Sequence, residues 1–213
     1  MRHLKILLVD DHAVVRSGLR RLLENSNGIE VVAEAATGEI AYQLYGEVNP
    51  DIVVMDISMP GMGGIESAKR ILQRYSHAKI IIFSMHEAVS FASQALKTGV
   101  KGFVTKTGMA EDLLQAVIDV SRGKTFLSAG VAKKIAMQTL TGDTDPIHQL
   151  TSREFEVFRL LVEGKRVEEV ADMLKLSQKT VANYYTLIKQ KLGVSSPIEM
   201  VRLAMKHGLI VDS

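Results

Sequence analysis

Ile6-Leu7-Leu8-Val9-Asp10-Asp11 is an apolar run that stops abruptly on two acids, and it has two counterparts downstream, Ile52-Val53-Val54-Met55-Asp56 and Ile80-Ile81-Ile82-Phe83-Ser84. Aliphatic runs without polar alternation fit strands covered on both faces, the pattern of a parallel sheet. Two more strand-like segments, Glu30 to Ala33 and Gly102 to Thr105, complete the set, and stretches of helical period separate all five. From Leu4 to about Arg122 the sequence predicts an α/β doubly wound, five-stranded parallel sheet of order 2-1-3-4-5. Its strands are Ile6 to Val9, Glu30 to Ala33, Ile52 to Met55, Lys79 to Phe83 and Gly102 to Thr105, with the three apolar ones in the middle.

After Gly123 the pattern changes. Ser128 to Thr139 reads as one more short helix, and Leu140 to Gln149, with Thr-Gly-Asp-Thr-Asp-Pro inside it, has linker composition. From Leu150 no strand run recurs, and helix signals begin with Thr151-Ser152-Arg153-Glu154, which fits a capping box. The expected organisation is a first domain over 1–123, a linker with a short helix over 124–149, and a small all-α domain over 150–213.

Length and composition agree with two globular domains. The 213 residues are 46% hydrophobic and 23% charged, with four prolines and a formal net charge of +2, which excludes disordered, collagenous and low-complexity chains. No apolar run approaches roughly 18 residues, and Met1-Arg2-His3 leads into the first strand without a secretory h-region, so the expectation is a soluble, cytoplasmic chain without a membrane partner. The absence of cysteine removes disulfides, thiolate metal sites and cysteine nucleophiles, leaving oxygen and histidine as metal donors.

In an open parallel sheet, ligands bind outside the carboxyl ends of the strands where the order reverses, here between strands one and three. Those two strands end in Asp10, Asp11 and Asp56. Three carboxylates at one edge repel one another unless a cation sits among them, and an all-oxygen set suits Mg²⁺. Ser84 and Lys106 end two further strands at the same edge. Metal, ammonium and hydroxyl around one carboxylate make a cradle for a phosphoryl group carried covalently on it. Asp56 is the acceptor by this reading, and the turn Ser58-Met59-Pro60-Gly61 offers the Ser58 carbonyl to the metal. Asp11 alone would serve equally as a helix cap; the constellation carries the reading.

Asp10-Asp11, Asp56-Ile57-Ser58-Met59-Pro60-Gly61, Ser84 and Lys106 resemble the receiver domain of two-component response regulators. The resemblance implies that Asp56 is phosphorylated by a sensor histidine kinase and that Asp10, Asp11, Asp56 and Ser58 hold Mg²⁺. It further implies that Lys106 pairs with the phosphate, that Ser84 swings onto it, and that Phe103 follows inward, although an aromatic in a strand is as readily core. Thr107 stands where many receivers have proline, and Met85 where a small residue is frequent, placing a bulky side chain near the access to Asp56.

In the C-terminal part, Val167, Val170, Ala171 and Leu174 form one apolar stripe, Leu176-Ser177 a break with Ser177 as N-cap, and Val181, Tyr185, Ile188 and Leu192 a second stripe. This is a helix-turn-helix. Between Lys175 and Ser196 there are four lysines and no acid. With Val181, Ile188 and Leu192 inward, Lys179, Asn183, Thr186 and Gln190 lie on the opposite face, with Thr180 and Ala182 beside them. Asn and Gln suit adenine, Lys suits guanine or phosphate, and Ala suits a thymine methyl, so the face suits double-stranded DNA, although a solvated lysine-bearing face in a packing hairpin gives the same spacing. Ile198, Val201, Ala204 and Met205 form a last stripe, either the partner surface of a homodimer or the closure of the domain core.

Leu150-Thr151-Ser152-Arg153-Glu154-Phe155-Glu156-Val157, Gly164, Glu169-Val170-Ala171, Leu176-Ser177, Lys179-Thr180-Val181 and Lys191-Leu192-Gly193-Val194 are similar to the LuxR/NarL (FixJ) type of DNA-binding domain. Lys179-Thr180-Val181 with Tyr184, and the ending Leu203-Ala204-Met205-Lys206-His207-Gly208, resemble its GacA/UvrY branch most. The family often has lysine where Ala182 stands and histidine where Tyr184 stands, so its base contacts do not transfer directly. Joined, the two resemblances imply a non-enzymatic, phosphorylation-dependent transcriptional regulator, active as a homodimer on DNA. Phosphorylation-independent DNA binding by the same fold is the alternative. A haloacid-dehalogenase-like phosphatase wants Asp-x-Asp, but Ser58 stands two residues after Asp56. A flavodoxin wants a phosphate loop where Asp10-Asp11 stand.

Overall fold

A computed structural model describes residues 3–141 and 145–210. Its contacts divide the chain into two compact units, one of residues 1–85 with 95–129 and one of residues 86–94 with 130–213. Gly142, Asp143 and Thr144 of the expected linker lie outside the described residues, as do Met1 and Arg2.

Residues 3–127 alternate strand and helix: β1 Leu4–Val9, α1 Ala13–Glu24, β2 Ile29–Ala35, α2 Gly38–Val48, β3 Ile52–Met55, α3 Gly64–Arg74, β4 Ile80–Ser84, α4 Val89–Lys97, β5 Gly102–Thr105, α5 Ala110–Ser121 and β6 Phe126–Leu127. The sheet is parallel throughout, with order β2-β1-β3-β4-β5-β6. The doubly wound fold is as expected, with one strand more. Phe126–Leu127 pairs with Gly102 and Phe103 and extends the β5 edge. Two residues are too short a run to show a strand period, so only the ladder reveals them.

Covering both faces of the sheet explains the unbroken apolar strands. Ile6, Leu8, Ile52, Val54, Ile81 and Val104 join one buried cluster with Leu19 and Leu23 of α1 and Leu113, Val117 and Val120 of α5. Their alternates Leu7, Val53 and Ile80 are equally buried, so they belong to the opposite face, toward which a strand's side chains alternate. With no solvent-facing side there is no position for a polar residue until the strand ends. Polarity therefore starts abruptly at Asp10, Asp56 and Lys106, on the rim where the carboxyl ends emerge.

The second unit is helical: α6 Ala129–Thr141, a 3₁₀ turn Pro146–Gln149, then α7 Ser152–Val162, α8 Val167–Leu174, α9 Gln178–Leu192 and α10 Pro197–Lys206. The capping box forms as read: the Thr151 hydroxyl accepts from Glu154 N and the Glu154 carboxylate accepts from Thr151 N. Glu154 does more than cap. Its Oε2 also accepts from Lys191 Nζ at 2.6 Å, tying the start of α7 to the end of α9. Burial alone would raise the Glu154 carboxyl, but Lys191 and the Thr151 amide outweigh it and hold the group below the ordinary carboxylate range. A carboxyl depressed by folding stabilises above its unfolded pKa, and that contribution disappears as pH falls through the folded value. Glu154→Gln is therefore expected to lower stability by about 2 kcal/mol at neutral pH. Urea titrations followed by circular dichroism should show the difference from wild type shrinking toward zero in acid; a pH-independent difference would assign the loss to packing.

Candidate functional site

The acid rim is assembled by backbone bonds before any side chain acts. Asp56 N donates to Val9 O at 2.8 Å, Asp10 N to Ala35 O at 3.1 Å, and Lys106 N to Ser84 O at 2.7 Å, so the ends of β1 to β5 stand level. Lys106 Nζ then reaches Asp10 Oδ2 at 2.6 Å and Asp56 Oδ2 at 3.1 Å. The remaining oxygens take amides: Asp10 Oδ1 accepts from His12 N and Asp56 Oδ1 from Ile57 N, each at 2.8 Å. Asp10 and Asp56 are almost completely buried.

Burial pushes the Asp56 carboxyl above its ordinary value, reinforced by the neighbouring Asp10; Lys106 pulls the other way and does not compensate fully. A second cation shores up the rim. Arg16 Nη1 donates to the Asp10 carbonyl at 2.6 Å while its Nε donates to Glu34 at 3.2 Å, and Glu34 also accepts from Arg20. The Arg20 guanidinium, with Arg16 behind it, holds Glu34 below the carboxylate range.

Asp10, Asp11, His12 and Asp56 each present a donor atom, and these atoms all lie within 4.8 Å of one another. Asp11 Oδ1 is buried and accepts no hydrogen bond. A buried, unsatisfied carboxylate oxygen among other carboxylates is the condition a divalent cation relieves. The donor set, mostly hard oxygen, fits Mg²⁺, which would supply positive charge opposite oxygens added to Asp56.

Ser84 ends β4 fully buried, paired with Thr105. Phe103 is fully buried in β5 beside Ile82, the position of a core residue. Ser58 lies in the loop after Asp56, half-buried, and Met85 is 62% exposed. His12, Arg16, Phe83 and Gly64 were not singled out from sequence. Phe83 carries the Lys106 ammonium 5.7 Å from its ring centroid. The signal for Gly64 was the Gly63-Gly64 doublet just past the Asp56 turn. For Arg16 there was none, because its target is a main-chain carbonyl.

In the second unit, Val170, Ala171 and Leu174 of α8 and Val181, Ile188 and Leu192 of α9 are buried, and Ser177 caps α9 through Thr180 N at 3.0 Å. Lys179, Ala182, Asn183, Thr186 and Gln190 are exposed along one helix. Three residues depart from the sequence reading: Val167, at the start of the α8 stripe, is only half-buried, and two lie in α9. Tyr185 is only partly buried, with Lys189 Nζ 5.6 Å from its ring centroid, because a ring on that flank meets a lysine stem instead of core. Thr180 is half-buried and its hydroxyl lies 2.8 Å from the Ser177 hydroxyl, so it acts within the cap. In α10, Met200 and Ala204 are buried whereas Ile198 and Met205 are exposed, so the last stripe divides between core and surface.

A doubly wound sheet with an acid-lysine rim, on one chain with a helix-turn-helix, defines the class of regulators that join a receiver to a DNA-binding domain. Residues 6–118 match the response regulator receiver domain, and residues 148–204 match the bacterial regulatory proteins of the luxR family. The chain is 32% identical to the response regulator GacA of Pseudomonas aeruginosa over 97% of its length and 98% of that protein. It is 33% identical to the response regulator UvrY of Escherichia coli, over 97% and 95%. Among solved structures, RcsB from Salmonella enterica serovar Typhimurium, bound to a promoter in the presence of the phosphomimetic BeF3−, superposes with a TM-score of 0.73 at 26% identity, covering 96% of this chain and 100% of that one. The chain belongs to the two-component response regulators with a LuxR-type DNA-binding domain, which are regulators of transcription. Among the described residues no helix is long and apolar enough to cross a membrane.

Proposed function

We propose that Asp56 accepts a phosphoryl group from a sensor histidine kinase and that this phosphorylation controls DNA binding by the C-terminal helices. One observation carries the reading: three strand ends bring Asp10, Asp56 and Lys106 into contact beside a buried Asp11 oxygen that accepts no hydrogen bond. In the transfer, the P–N bond of a phosphohistidine breaks as an Asp56 oxygen takes the phosphorus. Lys106 stands where it can follow the added charge, and Asp10, Asp11, Asp56 and the Ser58 carbonyl would hold Mg²⁺ against it. Ser84 supplies the hydroxyl that turns to the phosphate, and Phe103 moves with it.

Phosphorylation adds about −1.5 to −2 charge at a buried rim. A shift from 1:99 to 99:1 between two arrangements needs about 5.5 kcal/mol of differential stabilisation, within reach of a few charge-assisted contacts. The regulated partner is double-stranded DNA, read by Lys179, Ala182, Asn183, Thr186 and Gln190, with Thr180 at the helix start. The organisation is a receiver over 1–123, a linker over 124–149 and a DNA-binding domain over 150–213, acting as a homodimer on paired half-sites. In this role the chain is the phosphoacceptor and a non-enzymatic regulator.

Selection of bound sequences from random DNA, with and without beryllium fluoride and Mg²⁺, tests the reading. Two-fold related half-sites enriched only with the phosphate mimic support it, whereas equal enrichment without the mimic favours phosphorylation-independent binding. Lys179→Ala is expected to weaken DNA binding several-fold and to reduce the salt slope by about 1. An unchanged slope would remove Lys179 from the phosphate contacts.

A further inference from the structure

His12 is the residue of the acid rim that neither hydrogen bonding nor helix architecture explains. It is the N-cap of α1, yet its side chain makes no capping hydrogen bond, and histidine is not among the residues that cap well. Its ring is 67% exposed, so packing does not hold it either. Its Nδ1 nevertheless lies 2.9 Å from Asp11 Oδ1 and 3.3 Å from Asp10 Oδ1. The shorter approach has the length of an ion pair but not the geometry of a hydrogen bond, since Asp11 Oδ1 accepts none.

Two donors that close, without a hydrogen bond between them, have the spacing of neighbouring ligands on one ion. At about 2.1 Å from an octahedral ion, adjacent ligands sit about 3.0 Å apart and opposite ones about 4.2 Å. The two His12 approaches, 2.9 and 3.3 Å, are near the adjacent-ligand spacing, and the donor atoms of Asp10, Asp11, His12 and Asp56 all lie within 4.8 Å of one another. We propose that the His12 imidazole is a direct ligand in the rim's cation site and biases it toward borderline divalent metals such as Ni²⁺ over Mg²⁺. Imidazole nitrogen binds Ni²⁺ well and is a poor exchange for water on Mg²⁺, and affinity for nitrogen donors rises from Mn²⁺, which serves here as the spectroscopic probe, to Ni²⁺. The proposal rests on the reading of the rim as a metal site and adds to it a nitrogen donor and a selectivity.

The test uses the full chain with the metal alone. With one equivalent of Mn²⁺, electron spin echo spectra should show ¹⁴N modulation from a coordinated imidazole. His12→Ala and His12→Gln should abolish the modulation while Mn²⁺ stays bound through the carboxylates. By calorimetry both variants should bind Ni²⁺ about tenfold more weakly, with Mg²⁺ affinity within about twofold of wild type. Bound Mn²⁺ without nitrogen modulation, or equal losses for Ni²⁺ and Mg²⁺, would overturn the His12 assignment and leave the carboxylate site standing. Failure of the wild type to bind Mn²⁺ would overturn both. Because His12 is exposed and caps nothing through its side chain, circular dichroism of the variants should match wild type.

Discussion

Asp56→Asn is expected to abolish the response to beryllium fluoride and Mg²⁺ and to raise stability at the same time. The first effect is all or none, since the amide offers neither the charge nor the nucleophilic oxygen that the phosphoryl group or its mimic needs. An equal response from variant and wild type would sink the acceptor assignment. The second effect follows from burial, which lifts the Asp56 carboxyl above its ordinary value despite Lys106 at 3.1 Å. A carboxyl raised by folding binds its proton more tightly in the folded state. Its ionisation therefore weighs against the fold above the folded pKa, and that penalty fades as pH drops below the unfolded value. Asparagine removes the penalty, and Lys106 keeps its partner Asp10 at 2.6 Å. The variant should unfold at higher urea than wild type at neutral pH, by about 1 kcal/mol, with the gap closing in acid. A variant less stable than wild type at neutral pH would mean that the Asp56–Lys106 pair stabilises on balance.

Gly64→Ala should be the most damaging single substitution at the rim. A Cβ at Gly64 would stand 1.9 Å from the Asp56 carbonyl oxygen and 2.8 Å from Ile57 Cα. Both obstacles are main chain. No rotamer change relieves them, and Gly64 N is itself bonded to Ile57 O at 2.9 Å. Either α3 moves away from the β3 end or the Asp56 loop shifts, so the expected cost is about 3 kcal/mol or more. Movement of the loop would also carry Asp56 away from Lys106, so affinity for beryllium fluoride should fall with stability. A urea midpoint within experimental error of wild type would show that the approach of α3 is looser than these distances. The substitution separates two roles: Asp56→Asn removes chemistry and keeps the fold, whereas Gly64→Ala strains the fold beneath intact chemistry.

The strands were legible because burial on both faces forces an unbroken aliphatic run, a pattern that survives translation into one dimension. Ile52–Met55 and Gly102–Thr105 appear with the bounds that were read, and the capping box at Thr151 and the N-cap at Ser177 formed through the atoms their spacing required. The short strand Phe126–Leu127 was not legible, because its only cause is the open edge of β5. Tyr185 fitted the helical period of the α9 stripe and still stayed partly exposed, because period places a residue on a flank without saying what lies opposite.

The candidate site divides along the same line. That Asp10, Asp11, Asp56, Ser84 and Lys106 share one rim follows from sequence, since each follows or ends an apolar run and parallel strands put all carboxyl ends on one side. Residue order cannot show that Lys106 grips Asp10 across 96 positions, that Asp56 is buried deeply enough for its carboxyl to rise, or that His12 brings a nitrogen within 2.9 Å of a buried Asp11 oxygen. Those facts depend on distance and on exclusion of water, and both are set by how the sheet, its loops and its helices pack. The amino-acid order settled which groups reach the rim. Only the folded chain settled how closely they crowd there, and that crowding is what the proposed cation and phosphoryl group would require.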